Sequence, residues 1–459
     1  MTGAKSKEYA GAWAYLRLLR NNKKYRLYFA SHLCQHAGDW FVHVASLLAV
    51  QRLRPGYSTA ISGLVAARML PKIVLTTFGG VIADSFDKRK CMIALDCFGG
   101  VAVMLYILAL RVDSLTGLYG AAIIRASIQS IYEPMTHSLL PLLVTDEEDL
   151  KRAVAINSTL WSSMVMIGGL LAGYTGATFG VEACYVVDAL TYFISAWFMY
   201  FVKGNYNVAA KEPSSPEDGV VQHAIPCSLR SVMKPLATCA RMIAELGGYL
   251  WNSQFSILVL LKSSGNITWG FADVLNVSFS QIKDDEAASS ARLGIIFFSV
   301  GLGCMLGPLT ANCFTDIKKP STIQLACIVG LSLVTIGWYG IAFVSAFQWI
   351  CFFTLVRSSG LGIVWVNSTL LLQKLVPEHI RGRVIGLDFG LTVASETLAA
   401  FSAGALKDAN NTVGEISLIA CVVAALSCLF WMIVHECEGG AAHTKLPEVS
   451  IQFTTTPSL

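Results

Sequence analysis

Long apolar runs alternate with short polar connections along almost the whole chain. A helix of about 20 apolar residues is long enough to cross a bilayer, and twelve runs reach that length. The pattern therefore predicts an all-α integral membrane protein with twelve transmembrane helices. We expect these spans at 27–52, 58–83, 91–111, 116–143, 153–178, 181–202, 243–262, 291–315, 322–344, 346–373, 383–406 and 413–435.

The composition supports a lipid environment. Hydrophobic residues make up 54% of the chain and charged residues only 14%, whereas soluble domains carry about 25% charged residues. A net charge of +4 is too small to indicate a basic surface that binds nucleic acid. Almost all of the 13 cysteines lie in apolar runs or in connections predicted to be cytosolic, so we expect no disulfide framework.

No sequence pattern indicates an enzyme. The chain has no P-loop, no dinucleotide fingerprint, no Gly-x-Ser-x-Gly elbow and no zinc-protease helix motif. We therefore expect a protein that is not an enzyme and that uses no cofactor.

Lysine and arginine predict the orientation. With the N-terminus inside, 23 of the 34 basic residues fall in cytosolic segments, seven in outer segments and four within spans. Because basic residues concentrate on the cytosolic side of a membrane, both termini are predicted to be cytosolic. We expect the plasma membrane rather than an organelle. Asn266 and Asn410 begin glycosylation sequons in predicted outer loops.

The spans fall into two sets of six separated by a polar connection. The expected segments are a basic amphipathic N-terminus (1–26), a first set (27–202), a cytosolic linker (203–242), a second set (243–435) and a disordered tail (436–459).

An internal repeat relates the two sets. An offset of 232 residues carries Arg125 onto Arg357 and Asp84 onto Asp316. Two parallel, pseudo-symmetric six-helix halves are one known architecture of secondary transporters.

The connection after span two carries a recognisable motif. Gly80 is followed four positions later by Asp84 and then by the basic cluster Lys88, Arg89 and Lys90. This run resembles the signature loop of the major facilitator superfamily. The resemblance implies that these residues form a gate at the inner face, where charge pairs break and re-form as the halves rock.

Two further stretches, 133–157 and 376–384, resemble the branch of that superfamily that contains enterobactin exporters and related bacterial drug-efflux proteins. The resemblance implies export of a small amphipathic organic molecule by an antiporter that exchanges it for protons. The fifth span departs from the pattern, since it lacks the Gly-Pro pair that is typical of antiporters.

Span four carries a polar stripe. Arg125, Gln129 and Glu133 recur at every fourth position and share one helix face. Ionisable residues inside spans are costly and indicate function. The arginine–glutamine pair resembles the fourth-span motif of proton-coupled drug antiporters. We expect Arg125 and Glu133 to act in coupling or substrate binding, with a structural ion pair as the equally simple alternative.

The second set of spans offers fewer charged candidates. Arg357 occupies the position equivalent to Arg125, and Asp388 and Glu396, two turns apart, are predicted to be the only deep acids of this set. All three are candidates for substrate binding or coupling. Three further acids, Asp96, Asp188 and Asp273, are placed near span ends, where we expect solvated or capping roles.

Span one has the most unusual pattern. His32, His36, Asp39 and His43 share one helix face. This arrangement suits a proton relay, because histidine titrates near physiological pH, and it also suits a transition metal. Ordinary polar contacts between helices are the third possibility. We expect Asp39 to pair with Arg68.

Two alternatives to the organic-molecule exporter remain open. Gly38 and Asp39, followed by His43, resemble the first-span pattern of ferroportin-like metal exporters, in which case Asp39 and His43 bind metal. The other alternative is a non-transporting receptor or scaffold. The expected partners are a small-molecule substrate, protons and the lipid bilayer, with no nucleic acid, and we expect a monomer.

Overall fold

The computed structural model describes residues 12–204, 206, 255–316, 318–376 and 378–441. These residues form thirteen α-helices and no strand. The helices are α1 (Ala12–Asn21), α2 (Lys23–Leu53), α3 (Thr59–Ser85), α4 (Lys88–Arg111), α5 (Leu115–Leu143), α6 (Glu147–Phe179), α7 (Val181–Tyr200), α8 (Phe255–Ser280), α9 (Glu286–Asn312), α10 (Pro320–Phe343), α11 (Phe347–Leu375), α12 (Glu378–Asp408) and α13 (Val413–Ala441).

Eight of these helices are long and apolar enough to cross a membrane, namely α4, α6, α7 and α9 to α13. The other four long helices, α2, α3, α5 and α8, have ionisable residues in their interiors. Burial of such residues inside a helix bundle is costly and points to function.

Several helix boundaries differ from those expected. The seventh predicted span, 243–262, ends too early, because α8 continues to Ser280; residues 243–254 lie outside the described residues. The last helix continues to Ala441, beyond its predicted end at 435. The linker beyond residue 206 and the tail from 442 onward also lie outside the described part of the chain.

Polar side chains begin many of the helices. Asn22, Asp87, Ser114, Asp146 and Asp285 each accept a hydrogen bond from a backbone N–H in the first turn of the helix that follows. Such caps satisfy backbone donors that the helix itself leaves unpaired.

Two seams join helices that are distant in sequence, α6 with α9 and α3 with α12. In the first, a Cβ atom on Gly173 would lie 2.5 Å from the Cα of Gly294, so the two backbones meet without side chains between them. Ser290 Oγ also donates to the Gly173 carbonyl at 2.9 Å. In the second, Ser62 Oγ donates to the carbonyl of Ala400 at 2.6 Å.

Both seams are tight at one end of the bundle. This closed end carries the α2–α3 connection (54–58) and the α12–α13 connection (409–412). Asp408, the last residue of α12, reaches the beginning of α3 there and accepts three hydrogen bonds from Ser58 and Thr59. The first and second sets of helices are thus held together at this end by backbone contact and by a shared helix cap.

Candidate substrate and coupling site

The centre of the site is an ion pair between α2 and α5. Arg125 Nη2 donates to Asp39 Oδ1 at 2.5 Å, and Gln129 Nε2 donates to Asp39 Oδ2 at 3.2 Å. The Asp39 side chain keeps 16% of its surface exposed, whereas Arg125 is almost completely buried. Asp39 is therefore the part of the pair that solvent or a substrate can reach.

A second carboxylate lies on the other side of Arg125. Arg125 Nε is 3.4 Å from Asp188 Oδ2, and Asp188, on α7, is 0% exposed. The guanidinium also lies over the ring of Tyr192, 5.6 Å from its centroid. The expectation of a solvated Asp188 near a span end is wrong, because three helices converge on this residue.

One sequence signal for that convergence is Gly38, immediately before Asp39. A Cβ atom at Gly38 would lie 2.3 Å from Asp188 Oδ1 and 2.1 Å from Thr191 Oγ1. Only a glycine on α2 leaves room for the carboxylate of α7 at this point. The single sequence showed the glycine but not the acid that occupies the space beside it.

The histidines of α2 separate into two groups. His36 Nδ1 lies 3.6 Å from Asp39 Oδ2, and its Nε2 lies 3.0 Å from His32 Nε2. These two histidines and Asp39 form a continuous polar chain along α2. His43 is directed elsewhere and contacts the Arg68 guanidinium through its Nδ1 atom.

The expected Arg68–Asp39 pair is consequently wrong, since Arg125 is the partner of Asp39. The contact with a guanidinium also makes His43 a poor metal ligand, because a neighbouring cation opposes metal binding. Among the residues that the structure describes, no group of three or more His, Cys, Asp or Glu side chains could hold a metal ion.

Glu133 lies apart from the Arg125 cluster. Its carboxylate is 3.7 Å from Lys72 Nζ on α3, and its side chain is 41% exposed. The three polar residues of α5 thus have different partners. Arg125 and Gln129 contact Asp39 on α2, whereas Glu133 pairs with Lys72 on α3. A small cavity of about 20 Å³, lined in part by Lys72, Arg125 and Gln129, lies between α3 and α5 and has room for about one water molecule.

Arg357 on α11 has a different environment from its counterpart Arg125. It donates to Asn276 Oδ1 at 3.1 Å and lies over the ring of Trp338, 4.7 Å from the centroid. The residue is 1% exposed, and its Nε and Nη1 atoms have no hydrogen-bond partner in the described structure. Of the two arginines that the repeat predicts to be equivalent, Arg125 forms ion pairs, whereas Arg357 forms none among the described residues.

The second set of helices contains its own buried polar contacts. Lys262 on α8 pairs with Asp388 on α12 and lies over the ring of Trp365. Asn266 Nδ2, one turn further along α8, donates to Glu396 Oε2 at 2.8 Å. Asp388 and Glu396 therefore each meet a partner on α8.

Expectations about two residues of α8 are wrong. Asn266 is buried inside the helix rather than available in a loop for glycosylation. Asp273 is also buried, so Asp388 and Glu396 are not the only deep acids of this set. These errors share one cause, which is that α8 continues to Ser280, well beyond the predicted end of the seventh span at 262.

The proposed gate residues can be placed only in part. The surroundings of Gly80 and the side chain of Asp84 lie outside the described part of the structure. Lys88 is buried, and Arg89 donates to the carbonyls of Met199 and Tyr200 at the end of α7. Lys90 is exposed, and its backbone N–H is capped by the Asp87 carboxylate at 3.1 Å. Arg89 thus caps a helix of its own set in this conformation.

An aromatic cluster joins the two sets near the centre. Trp161 on α6 lies 6.2 Å from the ring of Trp40 on α2 and 6.5 Å from the ring of Trp269 on α8. Phe297 on α9 packs 5.5 Å from Trp40. Trp161 thus contacts both sets and is still 43% exposed.

The sequence comparison decides the family. Residues 31–395 match the family described as Major Facilitator Superfamily. The chain belongs to this superfamily. It is therefore a multi-pass membrane protein and a transporter rather than an enzyme, and its substrate is a small molecule. The resemblance first indicated by the loop at Gly80 is confirmed across most of the chain.

Two relatives cover nearly the full length. The chain is 24% identical over 397 residues to the uncharacterized MFS-type transporter YfiS of Bacillus subtilis, which covers 85% of this chain and 88% of the relative. It is 23% identical over 428 residues to the enterobactin exporter EntS of Citrobacter koseri. This alignment covers 92% of the present chain and 94% of EntS.

A solved structure confirms the fold. A bacterial homologue of the iron transporter ferroportin in an inward-facing state superposes with a TM-score of 0.60 at 16% identity, covering 91% of this chain and 98% of that one. At this identity the likeness concerns the fold alone.

Proposed function

We propose that this member of the superfamily is a secondary active transporter that exports a small amphipathic organic molecule in exchange for protons. Its twelve spans, α2 to α13, form two pseudo-symmetric six-helix halves in parallel orientation. α1 lies at the inner interface, and the linker connects the halves in the cytosol. The plasma membrane is the proposed location.

The observation that carries this proposal is the Asp39–Arg125–Asp188 cluster. Asp39 lies one residue past the midpoint of α2, where a bare carboxylate is costly in a membrane. Arg125 balances it, and the exposed surface of Asp39 connects the buried pair to the space between the halves. A proton or a cationic substrate that binds at Asp39 competes directly with Arg125 for the carboxylate.

The seams support alternating access. The conformation described here is shut at the end that carries 54–58, and the contacts of α6 with α9 and of α3 with α12 form that seal. Rocking of the halves about the central cluster opens this end and closes the other. With the basic residues inside, the closed end faces the exterior and the present state is open to the cytosol.

The aromatic cluster supports the amphipathic substrate class. The exposed part of Trp161, beside Trp40 and Trp269, offers an apolar surface next to residues of both sets. The charged cluster at Asp39 and Arg125 lies one residue along α2 from Trp40. A ligand with one apolar and one polar end fits both surfaces together.

A flux assay in proteoliposomes with an imposed pH gradient tests the function. A panel of amphipathic organic compounds is compared with Fe²⁺, Co²⁺ and Zn²⁺, using Asp39→Asn as the inactive control. We expect accumulation of an organic compound that depends on the gradient and is lost in the control. Metal flux abolished by both Asp39→Asn and His43→Ala would instead establish the metal transporter, and no flux of any class would favour a receptor or scaffold.

A further inference from the structure

Asp188 is a buried acid whose ion-pair partner in the described structure, Arg125, is shared with Asp39. It is fully buried inside α7, and neither of its carboxylate oxygens has a hydrogen-bond partner in the described structure. Its nearest cation atom, Arg125 Nε, is 3.4 Å away. A carboxylate in an apolar site without hydrogen bonds is strongly disfavoured, and such groups take up a proton instead.

Asp39, by contrast, is well suited to be ionised. It receives the short contact from Arg125 Nη2, a second hydrogen bond from Gln129, and the neighbouring imidazole of His36. One guanidinium thus faces two carboxyl groups, and it favours the one with the better geometry. Buried charges persist where they are paired and hydrogen-bonded.

Among the residues that the structure describes, Arg125 is the cation that faces Asp188. The titratable and charged groups that face it are Asp39 on α2, Tyr106 on α4, Arg125 on α5, and Tyr185 and Tyr192 on its own helix. Apart from Arg125, each of these is an acid or a phenol. Asp188 therefore has only the shared arginine to balance a negative charge.

We propose that Asp188 holds the exchangeable proton of the transport cycle and that Arg125 alternates between Asp39 and Asp188. This inference rests on the proposed function and names the proton site within it. On deprotonation, the O–H bond of the Asp188 acid breaks and the proton leaves to water that reaches the cluster at Asp39. Arg125, charged throughout, then pairs with the new Asp188 carboxylate and releases Asp39 to bind the substrate.

Close packing explains why this exchange needs no large movement. Gly38 lets the Asp188 carboxyl lie against the α2 backbone, one residue from Asp39. The Arg125 side chain lies between the two acids and already has a nitrogen toward each, Nη2 and Nε. A rotation of the guanidinium is sufficient to change partners.

Infrared difference spectroscopy of the purified protein in detergent tests the proton site without any substrate. The carbonyl stretch of a protonated carboxylic acid is distinct from that of a carboxylate. We expect a protonated-acid band in the wild type that disappears reversibly as the pH is raised and is absent from Asp188→Asn. His36→Gln should retain the band, because His36 faces Asp39 and not Asp188. An unchanged band in Asp188→Asn overturns the proposal.

Asp96 provides a matched control. It is also fully buried, and its Oδ2 atom accepts a hydrogen bond from Ser195 at 2.8 Å, but it has no ion pair among the described residues. Asp96→Asn should therefore leave the pH-sensitive band in place, and loss of that band in Asp96→Asn assigns the proton to Asp96 and refutes the proposal.

A second variant keeps the proposal testable if Asp188→Asn does not fold. Arg125→Gln removes the shared cation and leaves both acids in place, so a second protonated-acid band should appear. Its absence would contradict the sharing of Arg125. Because these spectra report protonation and not transport, a failed flux assay and a failed proton assignment are distinguishable.

Discussion

Asp408, the last residue of α12, caps the first turn of α3 across the seam between the two sets of helices. Its Oδ2 atom accepts hydrogen bonds from the backbone N–H of Thr59 at 3.0 Å and from Thr59 Oγ1 at 2.6 Å, and its Oδ1 atom accepts from the N–H of Ser58 at 2.5 Å. A negative charge at a helix N-terminus is also favoured by the helix dipole.

Asp408→Asn should weaken the closed end. Loss of the charge and of one acceptor costs about 1 kcal/mol, as for other helix caps, which corresponds to about a fivefold shift in the population of the closed state. Spectroscopic distance measurement between labels on Tyr57 and Ala409 detects the change. Asp113→Asn, at another exposed turn on the same end, is the control and should leave the distances unchanged; an equal effect of both variants would exclude a specific latch.

Gly173→Ala should open the other seam. Its new methyl group meets the Gly294 backbone at about 2.5 Å, and backbone cannot yield as a flexible side chain does. The same labels should therefore report a larger open fraction. Gly120→Ala is the matched control, since a Cβ at Gly120 meets nothing within 4 Å. If the label distances in Gly173→Ala equal those of the wild type, the contact between α6 and α9 is loose enough to accept a methyl group, and the prediction is wrong.

Arg125 and Asp39 should show strong coupling in thermal unfolding. Breaking a buried ion pair by removing one partner costs about 3–5 kcal/mol, so Arg125→Gln and Asp39→Asn should each lower stability, and the double variant should lose less than the sum. The half-exposed Lys72–Glu133 pair is the comparison, with an expected coupling of about 1 kcal/mol or less. Additive effects at Arg125 and Asp39 would contradict the pairing.

The orientation can be tested at two engineered cysteines in a cysteine-depleted background. A membrane-impermeant maleimide should label Tyr57→Cys, in the exposed α2–α3 connection, from outside intact cells. Ser214→Cys, in the predicted linker, should react only after permeabilisation, because the distribution of basic residues predicts a cytosolic linker. The reverse pattern would invert the proposed topology and the direction of the closed end.

Much of the site was visible in the sequence as individual residues. Asp39, Arg125 and Gln129 were singled out because polar groups at helical spacing inside apolar runs need partners. Their partners were assigned less well. Arg68 was expected to neutralise Asp39 and Glu133 to couple with Arg125, but Arg125 pairs with Asp39 and Asp188.

The membrane class and the superfamily could be predicted from the sequence, because they depend on local hydrophobicity and on a contiguous motif. Which charges meet depends instead on how the helices pack. Helix spacing along the chain says nothing about the rotation of α7 toward α2, which brings Asp188 against Gly38. Pairing energies depend on distances of a few ångströms between helices that are far apart in sequence, and these distances exist only once the helices are packed.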